Sequence, residues 1–223
     1  MKITLVIISM LLTLSVMAQR QQAINIFSLG AKAGYGASML QGDKTDVTLK
    51  MAPNAMYYGP KFGFNPIEEI GVVGEYLMFS NSYKLDYKIN DSSSVSNTVK
   101  VKGTQIPIIA RLTIERVVAE AGVSLNSISS TTNSLNGVTD VFDAKHMDLV
   151  FGVGQAVANA SAFAVSIYGR VNYSLQPWST NGYPFVKTGD VSNLMVSFGV
   201  DLHWKVGYFA TSRCGRKTGF LWY

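Results

Sequence analysis

From Phe27 to Met39 every second residue is apolar or aromatic: Phe27, Leu29, Ala31, Ala33, Tyr35, Ala37 and Met39. Between them stand Ser28, Gly30, Lys32, Gly34, Gly36 and Ser38. A period of two held over this length predicts a strand with one dry face and one polar or small face. The same pattern recurs to the far end of the chain.

A second strand is expected from about Met56 to Phe64, with Met56, Tyr58, Pro60, Phe62 and Phe64 on one face and Lys61 and Gly63 on the other. The third starts near Ile70 and is apolar on both faces, so Glu75 settles its phase. A carboxylate facing hydrocarbon would be costly, which turns Glu75 inward. The fourth strand places Ile106, Ile108, Ala110, Leu112 and Ile114 outward, with Gln105, Pro107 and Arg111 inward. Strand five carries Val117, Ala119, Ala121, Val123 and Leu125 outward, with Glu120 and Ser124 inward. Strands six (about Met147 to Val157) and seven (Phe163 to Leu175) continue the rhythm, the latter with Tyr168 and Arg170 on its polar face. In strand eight Leu194, Val196, Phe198, Val200, Leu202 and Trp204 alternate with residues that include Asp201 and His203.

The connections alternate as well. Short turns are expected at Asn65–Glu69, Glu115–Arg116 and Asn159–Ala162, and long polar loops at Gln41–Asn54, Asn90–Thr98, Ser127–Lys145 and Gln176–Asp190. An even strand count with short turns at one end and long loops at the other describes an all-β, eight-stranded antiparallel transmembrane up-and-down β-barrel of the outer-membrane kind. Trp204, Tyr208, Phe27 and Phe62 would ring its periplasmic interface. Tyr57, Tyr58, Tyr173 and Trp178 would ring the outer one.

The N-terminus fits that destination. Met1-Lys2 is a short basic region, Ile3 to Met17 is apolar, and Val16-Met17-Ala18 is a small-residue cleavage site, so residues 1–18 read as a signal peptide. Residues 19–209 form the expected barrel and 210–223 a basic, aromatic tail. Charged residues make up 15% of the chain, against ~25% in ordinary soluble domains. Loss of Lys2 with the signal leaves 18 basic against 14 acidic residues. That small excess lies largely in the tail and gives no nucleic-acid reading. Cys214 is the single cysteine, so no intrachain disulfide forms, and no metal, haem or iron–sulfur spacing is present. No cofactor is expected.

The inward set collects Lys32, Lys61, Arg111 and Arg170 against Glu75, Glu120 and Asp201. An eight-stranded lumen is just wide enough for side chains to fill it. Paired opposite charges therefore read as a packed network rather than a pore. Two other classes compete. An outer-membrane lipid-modifying enzyme would need a base, and His146 is the candidate, with Asp143, Asp148, Ser129 and Ser130 nearby in sequence. No nucleophile elbow supports it, and no catalytic residue is assigned. A secreted lipocalin-like ligand-binding barrel would turn the apolar face inward, leaving the thinly charged face in water.

The stretch LGAKAGYGASM (29–39) after a signal ending in Ala-Gln resembles the first strand of the PorT-like outer-membrane β-barrel proteins of Bacteroidota. GEYLMF (74–79), QIPIIARL (105–112), AEAG (119–122), FGVG (151–154) and YGRVNY (168–173) follow that family's pattern in order. The resemblance spans about Ile26 to Trp204. It implies a small membrane barrel in the outer membrane, with Glu75, Arg111, Glu120 and Arg170 at the family's inward charged positions. A role in secretion, to which the namesake is linked, does not follow from these motifs. Expected partners are outer-membrane lipids and the barrel-assembly machinery, with room for a periplasmic or extracellular protein partner and no nucleic acid. The barrel is expected to be a monomer. One departure stands out: Phe209 could end the last strand, yet the chain continues through Arg213, Arg216 and Lys217 to Trp222-Tyr223.

Overall fold

The computed structural model describes residues 24–42, 47–50, 52–66, 69–90, 93–133, 145–159, 163–176, 191–211 and 217–221. The expected signal peptide lies outside the described residues, as do Asp143, Trp178 and Cys214. Every described element is a strand, and no helix long and apolar enough to cross a membrane occurs among them.

The strands are β1 (Ile24–Gly42), β2 (Val47–Lys50), β3 (Ala52–Phe64), β4 (Ile70–Glu75), β5 (Leu77–Asn90) and β6 (Ser93–Ile114). They continue as β7 (Val117–Asn133), β8 (Lys145–Asn159), β9 (Phe163–Ser174), β10 (Val191–Thr211) and β11 (Lys217–Leu221). Pairing is antiparallel from each wall to the next, and β10 returns to β1, so the sheet closes on itself. Strands β4 and β5 make one wall interrupted at Tyr76, and the closed ring therefore has eight walls. Closure removes the exposed sheet edges that would otherwise template aggregation.

The interruption has a local cause. Tyr76 N–H donates to the Pro60 carbonyl at 3.0 Å, and proline has no N–H to return the bond. On the other side Pro107 of β6 lies in the gap between the β4 pairing, which ends at Ile108, and the β5 pairing, which begins at Gln105. Register is kept across the gap, so the inward and outward faces of this wall do not exchange.

Three of the stretches expected to be long polar loops carry strand instead. Gln41–Asn54 contains β2 and the start of β3. Asn90 pairs with Ser93, so the expected loop Asn90–Thr98 is a tight hairpin between two long strands. Strand β7 runs to Asn133, well into the expected loop from Ser127. The ladder is made by backbone groups, and a run of Ser, Thr and Asn can extend it as long as a neighbouring strand is present. Polarity alone did not reveal that neighbour. Of the fourth stretch, Gln176–Asp190, residues 177–190 lie outside the described residues.

At the inner end, the Glu115–Arg116 turn holds Glu115 at φ 55°, a conformation that favours glycine. Within the expected tail, β11 pairs with the end of β10, Phe220 opposite Phe209.

Outward positions on every wall carry exposed apolar side chains, among them Leu29, Phe62, Val72, Met78, Ile108, Val117, Phe151, Ile167 and Phe198. The expected girdle residue Tyr57 is a correction. Only 1% exposed, it points into the barrel, one alternation step from the exposed Tyr58. The Tyr57 ring lies over Gly34, where a Cβ would come within 2.5 Å of it, and the Tyr168 hydroxyl stands as near to a Cβ at Gly199. Each pair is directly cross-strand, so a missing side chain on one wall makes room for a ring from the next.

Candidate functional site: a sealed ionic core

Register brings the inward charges together before any side-chain geometry is considered. Lys32 faces Asp201 across β1 and β10, Lys61 faces Glu75 across β3 and β4, and Arg111 faces Glu120 across β6 and β7. Gly152 separates Glu120 from Arg170 along the same rung, leaving an open space that the two long side chains cross.

All seven inward residues form one connected network. Lys32 Nζ donates to Glu75 Oε1 at 2.7 Å and to Glu120 Oε2 at 3.1 Å. Arg170 grips Glu75 with both terminal nitrogens, at 2.6 and 2.9 Å, and reaches Glu120 at 2.9 Å. Arg111 donates to Glu120 Oε1 through Nη2 at 2.6 Å and Nε at 3.1 Å, and to Asp201 at 3.1 Å. Lys61 Nζ donates to Asp201 Oδ2. The bidentate Arg170–Glu75 pair and the two Arg111 bonds converging on Glu120 Oε1 give the network a defined geometry as well as charge pairing. Four cations face three anions, so the core holds one positive charge in excess. The rings of Tyr168 and Tyr57 offset it: Lys32 Nζ lies 4.3 Å from the Tyr168 centroid, and the Arg170 guanidinium lies 5.6 and 6.0 Å from the two rings.

The side chains of Lys32 and Glu75 are fully enclosed, whereas Arg111 and His203 keep 9% and 15% of theirs exposed. His203 Nδ1 is 3.9 Å from Asp201 Oδ1. The accessible edge of the core is thus its inner one. A cavity of about 10 Å³ lies against Arg111, Glu120, Tyr168 and Asp201, room for roughly one water.

Further toward the loop end, an apolar layer fills the lumen. Tyr57, Leu77, Phe79, Tyr83, Val99, Val101 and Met195 form one buried cluster with Leu40 and Tyr168. Sequence reading missed this layer because Tyr83, Val99 and Val101 lie between the expected third and fourth strands, on either side of the expected loop Asn90–Thr98. The signal was present in Val99-Lys100-Val101-Lys102, a strict alternation that continues β6 outward.

A second inward cluster holds the residues considered for catalysis. Ser174 Oγ donates to Asp148 Oδ1 at 2.7 Å, and His146 Nε2 lies 3.8 Å from the same oxygen. Asn126 and Ser124 adjoin them, joined by a 2.7 Å bond. His146 is 5% exposed and Asp148 is fully buried, while Ser129 and Ser130 are exposed. The barrel wall thus separates His146 from the serines considered beside it, and from the outer lipid face where such chemistry would occur. Among the described residues no group of three or more His, Cys, Asp or Glu could hold a metal ion.

No protein-family model matches the chain, and no curated protein matches it. Solved structures similar to it include Ail, the attachment invasion locus protein of Yersinia pestis, at 13% identity and TM-score 0.44 over 80% of this chain and 99% of that one. Neisserial surface protein A gives 16% identity and TM-score 0.45 over 83% and 99% of the two chains. Outer membrane protein W of Escherichia coli gives 12% and 0.42 over 83% and 100%. Likeness at this level says nothing about function.

Proposed function

We propose that this chain is an integral outer-membrane β-barrel with a structural or surface-interaction role, a filled lumen and polar external loops. One observation carries the reading: charges are sealed inside the barrel while large apolar residues cover its whole circumference. A soluble barrel requires the reverse, and a lipocalin-like protein would enclose its apolar face. Monomeric soluble proteins rarely expose apolar patches beyond a few hundred Å².

The belt has a height suited to hydrocarbon. On β6 the outward apolar residues run from Ile106 to Ile114, and on β9 from Phe163 to Leu175. At ~3.3 Å per residue these are roughly 26 and 40 Å along the strand. A strand tilt of ~40° reduces them to about 20 and 30 Å, bracketing the ~25 Å apolar band of such barrels. The ionic core crosses this depth as a structural filler. With the apolar layer above it, it leaves no route for ions, so the barrel is not a porin. The long strands and loops at the outer end form the interaction surface, as loops on a rigid scaffold commonly do. Outer-membrane lipids and the assembly machinery are its expected partners, and it works as a monomer without enzymatic activity.

Cell fractionation tests this, together with a gel of heated and unheated samples. Outer-membrane recovery and a faster-migrating unheated band are expected. A fully soluble protein would overturn the reading.

A further inference from the structure

Following the outward alternation up single strands shows where the apolar belt stops and what replaces it. On β6 the outward residues run Leu112, Ala110, Ile108 and Ile106, then Thr104, Lys102, Lys100 and Thr98. On β8 they run Val153, Phe151, Leu149 and Met147, then Lys145. On β5 the exposed Met78 is followed by the half-buried Ser80 and, past the buried Ser82, by the exposed Lys84. Lys84, Lys100, Lys102 and Lys145 are all exposed. The register sets Lys50 of β2 opposite Lys84, and Asp86 of β5 lies one alternation step beyond it.

The inner end carries both signs, with Arg116 and Lys205 half-buried where Glu69 and Glu115 are exposed. No ion pair among the described residues involves any of the four lysines. Lys102 is four residues beyond Ile106, about 13 Å along the strand. A lysine there can extend its ammonium back toward the membrane surface while its stem rests on the wall. Cations at that height lie among lipid headgroups rather than in hydrocarbon.

We infer that Lys84, Lys100, Lys102 and Lys145 form a cationic rim that binds phosphate groups of outer-leaflet lipids. This rests on the membrane-barrel reading above and names the chemistry of its outer surface. The lysines stand on paired or nearly adjacent walls, β5, β6 and β8, so they present a one-sided patch rather than an even ring. A one-sided patch orients the barrel's lipid neighbours and holds the protruding β5–β6 hairpin close to the surface.

The test uses the full mature chain folded in a zwitterionic detergent and titrated with bisphosphorylated lipid A, with bound lipid counted by native mass spectrometry. The wild type should retain the lipid, with affinity falling as salt rises from 0.05 to 0.5 M on the order expected for screened charges. K84Q/K100Q/K102Q/K145Q should lose at least tenfold in affinity, and the matching four Lys→Arg changes should keep it. Equal binding by the Gln variant, salt-independent binding by the wild type, or equal binding of a dephosphorylated lipid A would each overturn the inference. Displacement by equimolar inorganic phosphate would overturn the lipid as the source. The salt titration needs no variant and so stands even if a substituted chain fails to fold. A wild type that is soluble and shows no heat-dependent migration takes the membrane reading with it. A folded, membrane-inserted wild type that binds lipid A no better than the Gln variant removes only the lysine rim.

Discussion

Replacing Glu75 by Gln should be among the most damaging conservative changes in the barrel, and replacing Lys61 by Met among the mildest of the buried ones. Both residues are nearly inaccessible and both belong to ion pairs, so burial does not distinguish them. Charge arithmetic does. Glu75 accepts three charge-assisted bonds, at 2.7 Å from Lys32 and 2.6 and 2.9 Å from Arg170. Gln keeps the shape but removes one of three anions from a core that already has four cations. Four positive groups would then share two carboxylates in a sealed space. Removing one partner of a buried pair costs about 3–5 kcal/mol, a factor of roughly 10² to 10⁴ in the folding equilibrium.

Among the described residues Lys61 donates only to Asp201, and Asp201 keeps Arg111 as a partner, at 3.1 Å in the wild type, when Lys61 is gone. The core becomes three cations against three anions, and the desolvated ammonium is relieved. The expected loss is about 1 kcal/mol or less. Equilibrium urea unfolding of protein folded in lipid vesicles, followed by tryptophan fluorescence, gives both values. Glu75→Asp, which keeps the charge but withdraws it by a methylene, should fall between them. Two losses within 1 kcal/mol of each other, or in reversed order, would refute the view that the charge balance left in this core, together with the bonds lost, sets the cost.

Lipid exposure can be tested by depth. Ile108→Lys should destabilise the barrel by about 2–4 kcal/mol in vesicles, whereas Thr104→Lys at the rim should cost less than about 1 kcal/mol; equal small effects would mean that Ile108 faces water. Gly34→Val drives a side chain into the Tyr57 ring and should cost about 1–3 kcal/mol, with Tyr57→Leu in the same chain restoring part of it in the same unfolding assay. Glu115→Gly relieves a left-handed backbone and should raise stability by roughly 1 kcal/mol. In planar bilayers the wild type should show no conductance steps, and Tyr57→Ala with Tyr83→Ala, which thins the apolar layer, should introduce them. Steps in the wild type would refute a sealed lumen.

Period-two patterning is a property of the chain itself. A strand alternates its faces whatever lies beside it, so Phe27–Met39 or Asn193–Trp204 discloses a dry face before any neighbour is known. Phase follows from single residues, as with Glu75, because no carboxylate can be left against hydrocarbon. Strand number, the rhythm of turns and the list of inward charges follow from the same rule. Where the strands end does not, because the ladder of β5, β6 and β7 beyond the belt is held by backbone pairing, which a run of Ser, Thr and Asn side chains does not disclose. Tyr57 shows a related point: alternation with Met56, Tyr58 and Phe62 turns it inward beside Lys61, and Gly34 on the adjacent wall leaves the space its ring fills. The ionic core belongs to both levels. Sequence alone determined that seven charged residues face inward. Only closure of the sheet, bringing β1 and β10 together, decided that Lys32 bridges Glu75 and Glu120 while Arg111 links Glu120 to Asp201, because pairing in space depends on register around the whole ring.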